Sequence, residues 1–445
     1  MKYILATLAA ASLFAQAPSA PTTGPSAEKK EEKKIESPSG LINDQLPEWI
    51  RIGFEHRFRV ENYTALRYND NNDDHWLLNR LRVNLTLLPT SWWSFTFQGQ
   101  DARVFFKENP AGAAPFTNRT DLRLAFTDLG NISKGRIALR VGRQELIYGD
   151  ERVLGAGNWG ATARSFDAAK LVLRQGPLQL DLFSASVVMP LQRGISHHTQ
   201  GDNIHGAYLK WTNPLPNTSV EPYFFWRVGK GKGDVPGGIG HQDRRVTGLR
   251  VAGKLPARFD YVVEGIYQAG HIGASSIGAS AFHGNLRYQF SQGKWNPRWL
   301  IEYNYASGDK NPGDGKSGTF DQLYPTPHDK TGLADQVGWE NVQHVGTGFD
   351  ITPFRRFVIK AEVHDWHLAQ AKDGVYLTNG NVVYRDPTGS SGTHIGQEAD
   401  IVGTYTYGPH YASIGYGHIF PGEFLKRMSN GTGLNYLYLN VGYRF

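Results

Sequence analysis

Leu81, Val83, Leu85 and Leu87 alternate with Arg80, Arg82, Asn84 and Thr86. A period of two marks a strand whose successive side chains point to opposite faces. The alternation recurs along the chain. Ile52, Phe54, Phe58 and Val60 oppose Arg51, Glu55, Arg57, Arg59 and Glu61. Trp299, Ile301, Tyr303 and Tyr305 oppose Arg298, Glu302 and Asn304. Phe357, Ile359, Ala361 and Val363 oppose Arg356, Lys360, Glu362 and His364. At the end of the chain Leu437, Leu439, Val441, Tyr443 and Phe445 oppose Tyr436, Tyr438, Asn440, Gly442 and Arg444. About eighteen strands are predicted, over residues 50–63, 76–88, 92–106, 120–129, 136–148, 164–174, 178–188, 203–212, 220–228, 244–254, 258–269, 279–290, 297–307, 341–352, 355–366, 398–407, 411–419 and 436–445. Several match the roughly nine to eleven residues of a tilted membrane strand.

The connections alternate in length. Tight turns such as residues 89–91, 175–177, 255–257, 353–354 and 408–409 follow long polar stretches, the longest at 308–340 and 367–397. That parity is expected of an antiparallel transmembrane β-barrel with short periplasmic turns and long extracellular loops. A soluble sandwich or propeller has no reason to keep it. With both termini on the periplasmic side the strand number is even, as eighteen is. A barrel of this size is too wide for side chains to fill. Its polar face therefore points inward to water and its apolar face outward to lipid. Aromatics near segment ends (Trp76, Trp92, Trp93, Trp211, Trp226, Trp295 and Tyr407) suit interfacial girdles.

Composition agrees. Gly, Tyr, Phe and Trp are abundant and Met is scarce, a mix that favours strands and turns. Cysteine is absent, which excludes disulfides and thiolate metal sites. No run after the N-terminus approaches the length of a membrane helix, a test that β-barrels escape. The net charge of +6 comes without a basic tail or a nucleic-acid-binding motif. Residues 1–17 have the Lys2 start, the apolar Tyr3-to-Phe14 stretch and the small Ala15 and Ala17 of a secretory signal. Residues 18–47, rich in Pro, Ser, Lys and Glu, are expected to be a disordered periplasmic tether. The barrel domain is placed at 48–445. Its final aromatic, Phe445, resembles the terminal signal recognised by the outer-membrane barrel assembly machinery.

A pore selects by charge, width and lining groups. The inward cations are expected to include Arg57, Arg59, Arg80, Arg82, Arg123, Arg140, Lys170, Arg250, Arg287, Arg356 and Lys360. Arginine's planar fork binds two carboxylate oxygens at once. The same face carries Glu55, Glu61, Asp121, Asp181, Glu264, Glu302, Glu362 and Asp400. One reading is net anion preference; the other is an internally paired, weakly selective wall.

The strongest local pattern combines Gly142, Arg143, Gln144, Tyr148, Gly149, Asp150, Arg152, Trp159, Arg164, Phe166 and Asp167. Here the chain resembles the alginate-export family of outer-membrane porins. The resemblance implies an eighteen-stranded barrel with an arginine-rich constriction and an inward-folding extracellular loop. It also implies Arg143 and Arg164 as constriction cations, ordered by ion pairs with Asp150 and Asp167. Strict alternation instead puts Arg143 outward with Val141. Either Gly142 forms a bulge that resets the faces, or Arg143 lies above the hydrocarbon. The motif could also serve only to pin a loop into the barrel.

Other patterns are weaker. Acidic stretches at 70–74 and 308–315 lack a fixed calcium-loop spacing. His197, His198, His364 and His367 make no complete metal set. The glycines and lysines at 229–233 have no strand-to-helix context for phosphate. No catalytic triad emerges, so no enzyme, cofactor or metal is expected. The expected function is passive, anion-favouring passage of a carboxylated saccharide or related solute, by a monomer embedded in outer-membrane lipid. Periplasmic export partners would be needed if the solute is a long polymer. The alternatives are a general or small-anion uptake porin, and an adhesion barrel acting through loops 308–340 and 367–397.

Overall fold

The computed structural model describes residues 38–108, 117–230 and 240–444. In chain order its strands are β1 (Ile50–Thr64), β2 (Asp74–Thr90), β3 (Trp93–Phe105), β4 (Asn118–Leu129), β5 (Ile137–Gln144), β6 (Phe166–Gln175), β7 (Leu178–Met189), β8 (His197–Thr212), β9 (Thr218–Lys230), β10 (His241–Leu255), β11 (Phe259–Ile272), β12 (Ser275–Gln289), β13 (Trp295–Ala306), β14 (Lys316–Ser317), β15 (Val342–Phe354), β16 (Phe357–Leu368), β17 (Gly374–Tyr376), β18 (Val382–Arg385), β19 (His394–Tyr407), β20 (His410–Pro421) and β21 (Leu434–Arg444). Helices α1 (Pro38–Gln45) and α2 (Glu423–Met428) are short.

Eighteen of these strands form one closed antiparallel barrel. Each pairs with its neighbour in sequence, and β21 closes the wall on β1 from Glu55 opposite Arg444 to Thr64 opposite Asn435. The remaining three lie in connections. β14 adds two residues to the edge of β12, and β17 and β18 make a separate hairpin. All eighteen predicted segments are barrel strands. The fifth stops at Gln144 rather than 148, because the chain there turns into the lumen.

The faces are inside-out relative to a soluble protein. Phe58, Val60, Leu81, Val83, Leu437, Leu439 and Val441 are exposed on the outer wall, while Glu55, Arg57, Arg59, Arg80 and Arg82 are buried. Lipid is the solvent that makes this arrangement favourable. Trp92, Trp211, Trp226, Trp295 and Tyr407 are exposed as girdle residues should be. Trp76 is not: it points inward and stacks on Tyr63, which in turn stacks on Tyr436. It shares a strand face with Arg80 and Arg82, so its position in the alternation overrides its residue type.

The short end has turns of two to seven residues, and the other end carries the long connections. One connection breaks the parity. β11 and β12 run further than their hydrophobic pattern and meet in a two-residue hairpin, Gly273 and Ala274. Gly273 has φ 57° there, a conformation that glycine adopts without steric cost.

The long connections at 145–165, 307–341 and 369–393 pack inward. Leu146, Val153, Leu154, Phe320, Leu323, Tyr324, Leu333, Val337, Trp339 and Val375 form a buried apolar cluster with inward residues of the strands. A barrel too wide for its own side chains thus acquires a second core, made of loops. The last part of the stretch expected as a disordered tether is folded. Asn43 of α1 exchanges two 2.8 Å bonds with the backbone of Ile52, tying α1 to the start of β1. The expected signal segment and Phe445 lie outside the described residues.

Candidate channel lumen and its inward loop

β1 and β2 place four arginines side by side on the inner wall. Arg57 lies directly opposite Arg80, and Glu55 opposite Arg82. Like charges facing each other across two strands repel. The repulsion is offset by oxygen acceptors, most of them backbone carbonyls of the loop at 145–165. Arg57 donates to Asn158 O, Trp159 O and Gly160 O, each at 2.9 Å. Arg59 donates to Trp159 O at 2.6 Å and pairs with Glu61 at 2.7 Å. Arg80 donates to Asn158 O at 3.0 Å and Gly160 O at 3.1 Å and pairs with Glu55. Arg82 reaches Asn158 Oδ1 at 3.0 Å and Gln100 at 2.8 Å, and its Nη2 has no hydrogen-bond partner among the described residues. Arg123, in a register shift between β3 and β4, pairs with Glu145 and donates to Gln98 at 2.6 Å. These five arginines are 2–5 % exposed. The acids in contact with them are Glu55, Glu61 and Glu145, so the sector carries an excess of positive charge.

Trp159 is the centre of the loop's grip. The Arg59 guanidinium lies 3.8 Å from its ring centroid. His328 stacks on the same ring at 3.7 Å with an interplanar angle of 2°. The tryptophan thereby joins the arginine wall to the connection at 307–341. The two inward connections also pair with each other: Gly155 N donates to Tyr324 O at 2.8 Å, Tyr324 N to Val153 O at 3.0 Å, and Thr326 N to Glu151 O at 2.8 Å. Arg164 donates to Gly155 O at 3.0 Å and Pro325 O at 2.9 Å. Burial pushes its guanidinium down to about 10. Asp150 pairs with Arg250 at 2.8 Å; burial raises its carboxyl, but Arg250, Lys330 and Arg152 outweigh that and hold it low. Glu151 accepts from Thr326 Oγ1 and from Ala156 N, and burial pushes its carboxyl up. Arg152 reaches Glu302 at 3.3 Å. Lys330 lines a small cavity with Arg152, Trp339, Gln322 and Thr378, and burial and Arg152 push its ammonium down.

A family model described as Alginate export matches residues 48–437. The chain belongs to that family. Solved porins of Pseudomonas aeruginosa share the barrel. OccK11 (OpdR) is 13 % identical, with a TM-score of 0.58 over 89 % of this chain and 96 % of that one. The outer membrane protein opdK is 11 % identical, with a TM-score of 0.61 over 89 % and 99 %. OpdK with vanillate is 12 % identical, with a TM-score of 0.60 over 88 % and 98 %. A comparison with curated proteins finds no match. Family and barrel together make this an outer-membrane channel protein.

The alginate-export motif divides between the two faces of the wall. The β4–β5–β6 register is regular at Gly142, with no bulge. Arg143 therefore stays on the outward face with Val141. It forms a bidentate pair with Asp167 at 2.8 and 3.1 Å and donates to Ser196 O at 2.8 Å. The implied place of Arg143 among the constriction cations is corrected by this geometry; its implied pairing with Asp167 is present. Asp150 pairs with Arg250, not with Arg143 or Arg164. Gln144 is fully buried and donates to Ala168 O at 3.0 Å. Gly142 has φ 121°, and a Cβ there would sit 2.3 Å from Ala125 O.

The other expected cations are dispersed. Arg140 is paired bidentately with Asp128 at 2.6 and 2.8 Å, and Lys170 lies 3.9 Å from Asp181. Lys360 contacts Asp329 at 2.5 Å and Glu362 at 2.8 Å. Arg287 is on the inner face and its Nε lacks a hydrogen-bond partner among the described residues. Arg356 is not on a strand. It occupies the turn between β15 and β16, with its guanidinium 4.1 Å from the Tyr407 ring centroid.

Two inner-wall features escaped sequence reasoning. Arg227 pairs with Asp202 at 3.1 Å and Asp321 at 3.3 Å; beside them Arg244 donates to Gln268 at 2.6 Å. Arg244 and Arg250 share a strand face, so alternation alone could have found Arg244. His283, Asn304, His344 and His364 form a hydrogen-bonded belt across four strands, with contacts of 2.6, 2.7 and 2.9 Å. Glu302, His344 and His364 bring three metal-ligating side chains together, but Arg152 already takes the carboxylate.

Proposed function

We propose that this protein is a passive, anion-favouring channel for a carboxylated saccharide or related solute, with the loop at 145–165 as its plug. One observation carries the reading: the inward forks of Arg57, Arg59 and Arg80 are filled by carbonyl oxygens of Asn158, Trp159 and Gly160. A carbonyl oxygen is a weaker acceptor for guanidinium than a carboxylate. When the loop withdraws, the forks face water with few acids to neutralise them. A carboxylate entering the lumen replaces the lost carbonyls and relieves the mutual repulsion of the arginines. Arg152 and Lys330 add two basic side chains on the two loops, where both line one small cavity. Passage is down the gradient in either direction.

The test is reversal-potential measurement on single channels in planar bilayers under a salt gradient. The wild type should prefer anions, and Arg80→Gln with Arg82→Gln should move the reversal potential toward zero. Proteoliposome swelling should be faster in a uronate than in a neutral sugar of the same size. Vanillate, seen with one of the similar barrels, is a useful small carboxylate probe. A cation-preferring wild type, or a double variant with unchanged reversal potential, would refute the proposal.

A further inference from the structure

Asp365 and His367 are two residues apart on β16 and share its outward face with the exposed Val363. His394 opens β19 and is the cross-strand partner of His367 at a register shift. Both imidazoles aim at one carboxylate. His367 Nε2 is 3.1 Å from Asp365 Oδ2, and His394 Nε2 is 3.1 Å from Asp365 Oδ1. The two rings stack with centroids 4.7 Å apart. One ligand atom from each of the three residues lies within 4.8 Å of the others.

We propose that Asp365, His367 and His394 form a divalent transition-metal site on the outer surface of the barrel, at its extracellular rim. Ligand atoms bonded to one zinc-sized ion at about 2.1 Å are separated by roughly 3.0–3.5 Å. Both nitrogen–oxygen distances fall in that range, and one ligand atom of each residue already lies within 4.8 Å of the others. Two imidazoles and a carboxylate select zinc, nickel or copper over calcium or magnesium. The side chains are 33–44 % exposed, which leaves room for water at the remaining coordination positions. Apart from His394 itself, the residues paired with His367 and Asp365 on the flanking strands are Gln343, Val345 and Gln397, all uncharged. Among the described residues no lysine or arginine pairs with Asp365, whose contacts are His367 and His394, in contrast to the inner cluster, where Arg152 holds Glu302. The site lies outside the lumen, so it stands or falls separately from the channel reading.

Tag-free protein, folded in detergent and stripped with a chelator, is titrated with zinc sulfate by calorimetry and with cobalt by visible absorption. One equivalent should bind, and His367→Ala or His394→Ala should each abolish that step. Replacement of His344 by Asn should leave it unchanged. His367→Gln and His394→Gln serve if an alanine variant fails to give a heat-modifiable barrel. In the wild type, zinc should also protect residues 367 and 394 from diethyl pyrocarbonate, as read by peptide mass spectrometry. Absence of stoichiometric binding, binding that survives loss of both histidines, or binding lost with His344 would overturn the proposal.

Discussion

If the loop at 145–165 is the plug, Trp159→Ala should loosen it without altering the charge of the lumen. Its ring receives the Arg59 guanidinium at 3.8 Å on a residue only 2 % exposed. It also receives the His328 ring at 3.7 Å and 2°. A desolvated cation–π contact contributes about 1–2 kcal/mol and an aromatic stack about 0.5–1.5 kcal/mol. The carbonyl bonds to Arg57, Arg59 and Arg80 remain in the variant, so the docked loop should lose about 1.5–3.5 kcal/mol in total. That corresponds to roughly a ten- to three-hundredfold shift toward the withdrawn state. Single-channel recording should show a higher open probability with an unchanged reversal potential. A cysteine placed at Thr162 reports the same event by faster maleimide labelling, with no background because the chain has no cysteine. Unchanged open probability together with unchanged labelling would show that Trp159 does not hold the plug.

Other outcomes follow from the same geometry. Gly142→Ala must place a Cβ 2.3 Å from Ala125 O at φ 121°. It should lower the yield of heat-modifiable barrel and cost at least about 1–3 kcal/mol, whereas Gly265→Ala, with nothing within 4 Å, should not. Glu151 is held above the usual glutamate range by burial in the docked loop. Docking is thus favoured while it is neutral, fully so below its unfolded value, and this contribution is lost as pH rises through its raised value. Open probability should rise with pH across that window, and Glu151→Gln should flatten the rise; a steep dependence retained in the variant would assign it to another group. Asp150 acts with the opposite sign, since Arg250 holds its carboxyl low. Its contribution is present above the usual aspartate range and lost as pH falls through its depressed value, which should reopen the loop in strong acid.

Alternation tells which side of a wall a residue faces and nothing about what stands in front of it. Residues 80–87 were legible as a membrane stave because the pattern is local, and closure of β21 on β1 followed from connector parity. Arg143 was open between alternation, which points it outward, and the motif resemblance, which implies a constriction cation; the regular register at Gly142 decides for alternation. Arg356 was misplaced because a turn at positive φ interrupts the period without changing the residue types on either side. The β11–β12 hairpin was missed because Ala269, Gly270, Gly278 and Ala279 carry no hydrophobic contrast. The plug depends on contacts of another kind. Arg57 and Trp159 are 102 positions apart, and their bond is to a backbone carbonyl, a group every residue has. His394 reaches Asp365 only because a register shift brings the start of β19 beside the end of β16. Composition could show that the lumen is rich in arginine. Only the fold shows that these arginines hold a loop; under the proposed function, withdrawal of that loop and attraction of an anion would be one event.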